Sequence, residues 1–229
     1  MRSALAIWLA VWLGAGAAAA DDTMARRARA CTGCHGEQGR AAADGYHPRI
    51  AGKPAAYLFD QLQAFRDGRR HYALMTALLD PLDDAMLRAL AEHFAALDLP
   101  YAAPLPATAS PETLRRGEVL ARQGDPAARL PACASCHGRQ LTGTLPGVPS
   151  LLGLPRDYLI AQLGAWRTGT RRSRAPDCMA EVTRRLAPAD IGALAQWLAA
   201  QPVPVPSRAA ARPEVEPPLR CGAMPAQPG

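Results

Sequence analysis

The segment Cys31-Thr32-Gly33-Cys34-His35 recurs in the second half of the 229-residue chain as Cys133-Ala134-Ser135-Cys136-His137. Two thiols at this spacing can add to the two vinyl groups of one haem, while the histidine that follows turns its imidazole onto the iron. A zinc site would need a second ligand pair close to each CxxC, and a thioredoxin-like redox motif would need a βαβ setting. Here a histidine follows each pair directly, and a longer repeat surrounds it. The expectation is two covalently bound haem c groups, attached at Cys31, Cys34, Cys133 and Cys136, with His35 and His137 as iron ligands.

The repeat is read residue by residue. Pro48, Gly52, Pro54, Tyr57, Leu58, Gln61 and Leu62 align with Pro149, Gly153, Pro155, Tyr158, Leu159, Gln162 and Leu163, and the register continues through Arg66/Arg167 and Gly68/Gly169. A match of this length means two homologous units. The expected plan is a signal peptide over 1–20, one domain over 21–99, a Pro-rich semi-rigid linker over 100–110, a second domain over 111–201 and a Pro-rich tail over 202–229. Ala and Leu dominate and no stretch alternates at period two, so the reading is all-α. Ser110 before Pro111 marks one helix start and Asp83 another. Each unit should run helix, haem motif, loop, helix, sulfur-bearing loop, helix, with the haem supplying what so small an apolar core lacks.

The remaining iron position decides between a carrier and a catalyst. Met75 precedes Leu82 by the same interval as Met179 precedes Leu186, and both leucines lead into equivalent third helices. That equivalence selects Met75 and Met179 as metal ligands over core packing, the common fate of methionine. Met24, Met86 and Met224 have no such correspondence. His71 is a rival to Met75, whereas the second unit contains no histidine besides His137.

Arg2, the apolar run from Ala4 to Leu13 and Ala18-Ala19-Ala20 predict export with cleavage near Ala20, against the alternative of an uncleaved anchor. The mature chain would have no transmembrane segment and would reside in the periplasm. The formal charge is +6, but haem propionates offset much of it, and nucleic acid is excluded as a partner for an exported chain. Arg66, Arg69 and Arg70, and at matching places Arg167, Arg171, Arg172 and Arg174, could pair with propionates, face an acidic redox partner, or form a solvated surface.

With these motifs in place, the chain resembles the cytochrome c4 type of dihaem cytochrome c, built from two tandem class I cytochrome c domains. The resemblance rests on both CxxCH motifs, the P-x-[IL]-x-G…Y-L-x-x-Q-L segments and the methionines, and covers residues 22 to about 201. It implies His35/Met75 and His137/Met179 ligation and haems close together across the domain interface. The tail and two extra cysteines, Cys178 and Cys221, depart from the pattern. Four of the six cysteines are used by haem, and an even remainder in an oxidising compartment points to a Cys178–Cys221 disulfide. A free Cys178 packed as a small apolar residue, or an intermolecular bridge through Cys221, are the alternatives.

Two six-coordinate haems favour outer-sphere electron transfer over substrate chemistry. The main expectation is a periplasmic carrier, not an enzyme, shuttling between a quinol-oxidising complex and a terminal oxidase among membrane-bound respiratory complexes. The alternative is a cytochrome subunit accepting electrons from a periplasmic dehydrogenase. A dihaem peroxidase or a sulfur-compound dehydrogenase using Cys178 is a third reading.

Overall fold

The structure, a computed structural model, describes residues 24–224; the expected signal segment over 1–20 lies outside them. Among the described residues every regular element is helical, apart from isolated bridges. In the first half α1 covers residues 24–35 and is followed by α2 (Ala55–Arg66), α3 (Ala73–Leu79) and α4 (Asp84–Ala96). The second half contains α5 (Pro111–Arg122), α6 (Ala134–His137), α7 (Arg156–Thr168), α8 (Cys178–Arg185) and α9 (Pro188–Ala199).

Capping explains where the long helices begin. The Asp83 carboxylate accepts from the Met86 amide at 2.8 Å, and the Ser110 hydroxyl accepts from the Thr113 amide at 3.2 Å ahead of Pro111. Each satisfies an otherwise orphaned first-turn donor. Helix α4 buries Leu90, Ala91 and Phe94 with Ala28 of α1 and Leu58 of α2, and Leu87 with Phe65 of α2 and Leu79 of α3. Helix α9 buries Ile191, Leu194, Ala195 and Leu198 against Leu120 of α5 and Leu159 of α7. Helices α5 and α9 approach so closely that a side chain at Gly117 would put its Cβ 2.3 Å from the Ala193 carbonyl oxygen.

The halves differ at the first CxxCH-bearing segment. Helix α1 runs directly into Cys31–His35, whereas α5 stops at Arg122 and a loop, closed by reciprocal Asp125–Leu130 backbone hydrogen bonds of 2.9 Å, intervenes before α6. Arg116 on α5 holds this loop by pairing with Asp125 at 2.9 Å and with Asp190 of α9 at 2.7 Å.

The expected sulfur-bearing loops are instead short helices: Met75 sits in the first turn of α3 and Met179 in the first turn of α8. The helix-favouring run Ala73-Leu74-Met75 forms α3, and the Asp177 carboxylate caps α8 by accepting from the Ala180 amide at 3.0 Å. The linker is docked: Arg49 donates to the Leu99 and Pro100 carbonyls at 2.5 and 3.2 Å and stacks on the Tyr101 ring, 3.9 Å from its centroid. Tyr101 in turn fills the space beside Gly153, where a Cβ would lie 2.4 Å from the ring and φ is +67°. The tail contains no helix through residue 224 and lies along the second half, with Leu145 and Ala210 joined backbone to backbone at 2.8 Å.

Candidate functional site

One continuous cavity spans both halves and is lined by both CxxCH motifs, by Met75 and by Met179. The two histidines are held alike. His35 Nδ1–H donates to the Pro48 carbonyl at 2.8 Å, and His137 Nδ1–H donates to the Pro149 carbonyl at 2.8 Å. This fixes the tautomer that leaves each Nε2 lone pair free to bind a metal. Burial holds both imidazoles below their ordinary pKa, so they are neutral, as a ligand must be. Burial also raises the Cys31 and Cys136 thiols and pushes Cys133 up to about 12. Three half-buried thiols and the exposed Cys34, each pair beside a buried, neutral histidine on an apolar-walled cavity, fit covalently attached haems.

The helices bearing the methionines are braced equivalently. Arg66 donates to the Leu82 carbonyl at 3.0 Å, and Arg167 donates to that of Leu186. Both carbonyls close the turn between methionine helix and third helix. His71 is exposed although it lines the cavity. Met224, which has no repeat counterpart, also lines the cavity because the tail folds back onto it. Cys178 and Cys221 are joined, with their Cα atoms 5.3 Å apart; Cys178 therefore carries no free thiol beside Met179.

The halves meet through a reciprocal network. Arg70 donates to Gln61 at 3.0 Å and, across the interface, to Tyr158 at 3.0 Å and Gln162 at 2.7 Å. Arg171 donates to Gln162 at 2.8 Å and, across the interface, to Gln61 at 2.6 Å and Tyr57 at 3.5 Å. Each guanidinium covers an aromatic ring of its own half, Arg70 on Phe65 and Arg171 on Trp166. Both arginines are buried, and among the described residues neither has a carboxylate within ion-pair distance. Burial and the neighbouring Arg70 depress the Arg171 pKa. Trp166 Nε1 is buried without a hydrogen-bond partner, in a side chain that lines the cavity. Two buried cations and an unused donor fit an anionic group here, such as a haem propionate. The seven arginines thus divide: Arg70 and Arg171 are interior, Arg66 and Arg167 brace helices, Arg69 and Arg174 pair with Asp60, and Arg172 is exposed.

Lys53 was not singled out by sequence. It is 4% exposed, its Nζ donates to the Ser150 carbonyl of the other half at 3.3 Å, and burial, with Arg49 nearby, brings its pKa down to about 7. Among the described residues no helix is long and apolar enough to cross a membrane.

Comparison with known proteins agrees with this architecture. The cytochrome c family model matches residues 16–90. The thiosulfate dehydrogenase electron acceptor of Thiomonas intermedia is 38% identical, over 81% of this chain and 84% of that one. The structure superposes on reduced cytochrome c4 from Pseudomonas stutzeri with a TM-score of 0.68 and 31% identity, over 77% of this chain and 96% of that one. It also superposes on the thiosulfate dehydrogenase TsdBA of Marichromatium purpuratum, with a TM-score of 0.68 and 36% identity over 75% of this chain, which spans only 36% of that longer protein. Matched along most of its length rather than at an isolated motif, the chain belongs to the cytochrome c family, as an electron-transfer protein of the c4 type.

Proposed function

We propose that the chain is a periplasmic carrier with two haem c groups that accepts electrons from a thiosulfate dehydrogenase. The observation carrying this reading is the twofold recurrence of one site: a CxxCH histidine with Nδ1 engaged and Nε2 free, on a cavity also walled by a methionine. Cys31, Cys34 and His35, with Met75, would hold the first haem; Cys133, Cys136 and His137, with Met179, would hold the second. Each bound haem supplies a one-electron iron couple, whose potential is raised by methionine relative to bis-histidine ligation. The protein's residues fix the imidazoles, exclude water with apolar side chains and, through Arg70, Arg171 and Trp166, offer donors to propionates between the two domains. With a histidine and a methionine both holding each iron, no position would remain for a substrate, and the chemistry supplied would be electron transfer.

The donor is inferred from relatives named as thiosulfate dehydrogenase electron acceptors. They favour the dehydrogenase reading over the quinol-to-oxidase shuttle. Stopped-flow mixing of the oxidised holoprotein with thiosulfate dehydrogenase and thiosulfate should reduce both haems in a concentration-dependent reaction. Reduction by a quinol-oxidising complex alone would instead restore the respiratory-shuttle reading. The Cys178–Cys221 disulfide belongs to the same proposal, as the fastener of the tail over the second site; non-reducing peptide mapping should recover the linked peptides.

A further inference from the structure

The repeat is broken at two buried charges: Arg49 and Lys53 stand where the second half has Ser150 and Leu154. Arg49 is spent on the Leu99 and Pro100 carbonyls, which leaves Lys53. Lys53 follows Gly52 in the first half, and the equivalent position after Gly153 is Leu154. Lys53 does not serve its own half: its Nζ crosses to the Ser150 carbonyl, one residue beyond Pro149, whose carbonyl receives His137 Nδ1–H. Its side chain lines the cavity together with Cys136 and His137. Among the described residues no carboxylate lies within ion-pair distance, and the charged neighbour acting on it is another cation, Arg49. An ammonium taken out of water without an anion is costly. Around the first half's histidine the charges are mixed instead: the Asp44 carboxylate, paired with His47, and the Arg70 guanidinium both act on His35.

We propose that Lys53 is a positioning residue supplied by the first half to the second: its ammonium raises the reduction potential of the haem attached at Cys133 and Cys136. Reduction adds one electron to that centre, and a fixed cation in a low-dielectric cavity stabilises the reduced state relative to the oxidised one. Anionic charge carried by a bound haem would favour the ammonium over the neutral amine. The leucine at the equivalent place means the second half returns no ammonium to the first, so two sites with the same proposed ligands differ in the fixed charge around them, and Lys53 is the charge acting on His137.

The inference rests on the two-haem reading above and is tested separately from it. Pyridine haemochrome and the far-red sulfur-to-iron band check that reading in each variant: two haems per chain and both methionines bound. Potentiometric titration of full-length holoprotein, with each haem followed by its own paramagnetically shifted methyl resonances, then tests Lys53. Lys53→Leu, which copies the residue of the other half, and Lys53→Gln, which keeps a neutral donor, should each shift the second haem toward the ferric state at least tenfold, about 59 mV for one electron. The first haem should move less, and Lys53→Arg should retain most of the native value. Two methionine-ligated haems with unchanged potentials in the leucine variant would overturn the proposal. So would a native potential in the glutamine variant, which would assign the effect to the hydrogen bond rather than the charge, or a larger shift at the first haem.

Discussion

The methionine helices of the two halves are equivalent in sequence position and opposite in cover. Helix α3 leaves Leu74 67% and Leu78 38% exposed, beside Tyr46 at 42%. Helix α8 lies under the tail, with Cys178 joined to Cys221 and the Gly222 amide donating to the Pro176 carbonyl at 2.9 Å. The repeated segments specify the parts of each site, while an unrepeated segment decides how each site meets solvent. An open apolar rim suits a transient partner, whereas a fastened cover suits retention of the bound group.

The strongest way to break this comparison is to remove one sulfur at a time. Met75→Ala should abolish about half of the far-red sulfur-to-iron band and lower one potential, and Met179→Ala should do the same for the other site. Persistence of the full band in the Met179 variant alone would identify Met224, delivered to the cavity by the tail, as its replacement.

The cover itself comes next. A Cys178→Ala/Cys221→Ala double variant should lose up to about 4 kcal/mol in the chain-entropy account of a closed loop, for cysteines 43 residues apart. Denaturation monitored at each haem should confine that loss to the second half. The rim is tested by Leu74→Asp with Leu78→Asp, which should change stability by no more than about 0.5 kcal/mol. The same pair should slow reduction by thiosulfate dehydrogenase about tenfold; an unchanged second-order rate would move the contact off this rim.

Acid should produce the smallest difference. Arg116 holds the Asp125 carboxyl below its usual pKa, so this pairing stabilises the second half above the ordinary carboxylate range. The contribution falls as pH drops from that range through the lower folded value. Arg116→Gln should reduce the acid-dependent component of the second half's unfolding midpoint, leaving the part due to Glu181 with Arg184 and Arg185, and should not change the first half's profile.

Local chemistry made much of this arrangement readable. Asp83 and Ser110 announce their helices because a cap needs only residues a turn away, and the CxxCH motifs carry their own spacing. The methionine helices are harder to read, because two turns of helix after Tyr72 or Asp177 resemble a loop in so short a window. Lys53, Met224 and the pairing of Arg70 with Gln162 were not readable at all. Each depends on which residue of the other half, or of the tail, arrives opposite it, and a Lys after Gly52 looks like any solvent-facing lysine until Ser150 covers it.

The crossed contacts of Arg70 and Arg171 have the form of an isologous dimer interface, in which each residue meets the partner of its own counterpart. Two separate identical chains joined this way would have to carry every substitution twice, once on each side of the axis. Encoding both sides in one polypeptide lifts that constraint: a lysine can stand opposite a leucine, and one strap can close one side only. Covalent linkage thus turns a symmetric dimer into a directional device, with a front and a back, while keeping its contact surface.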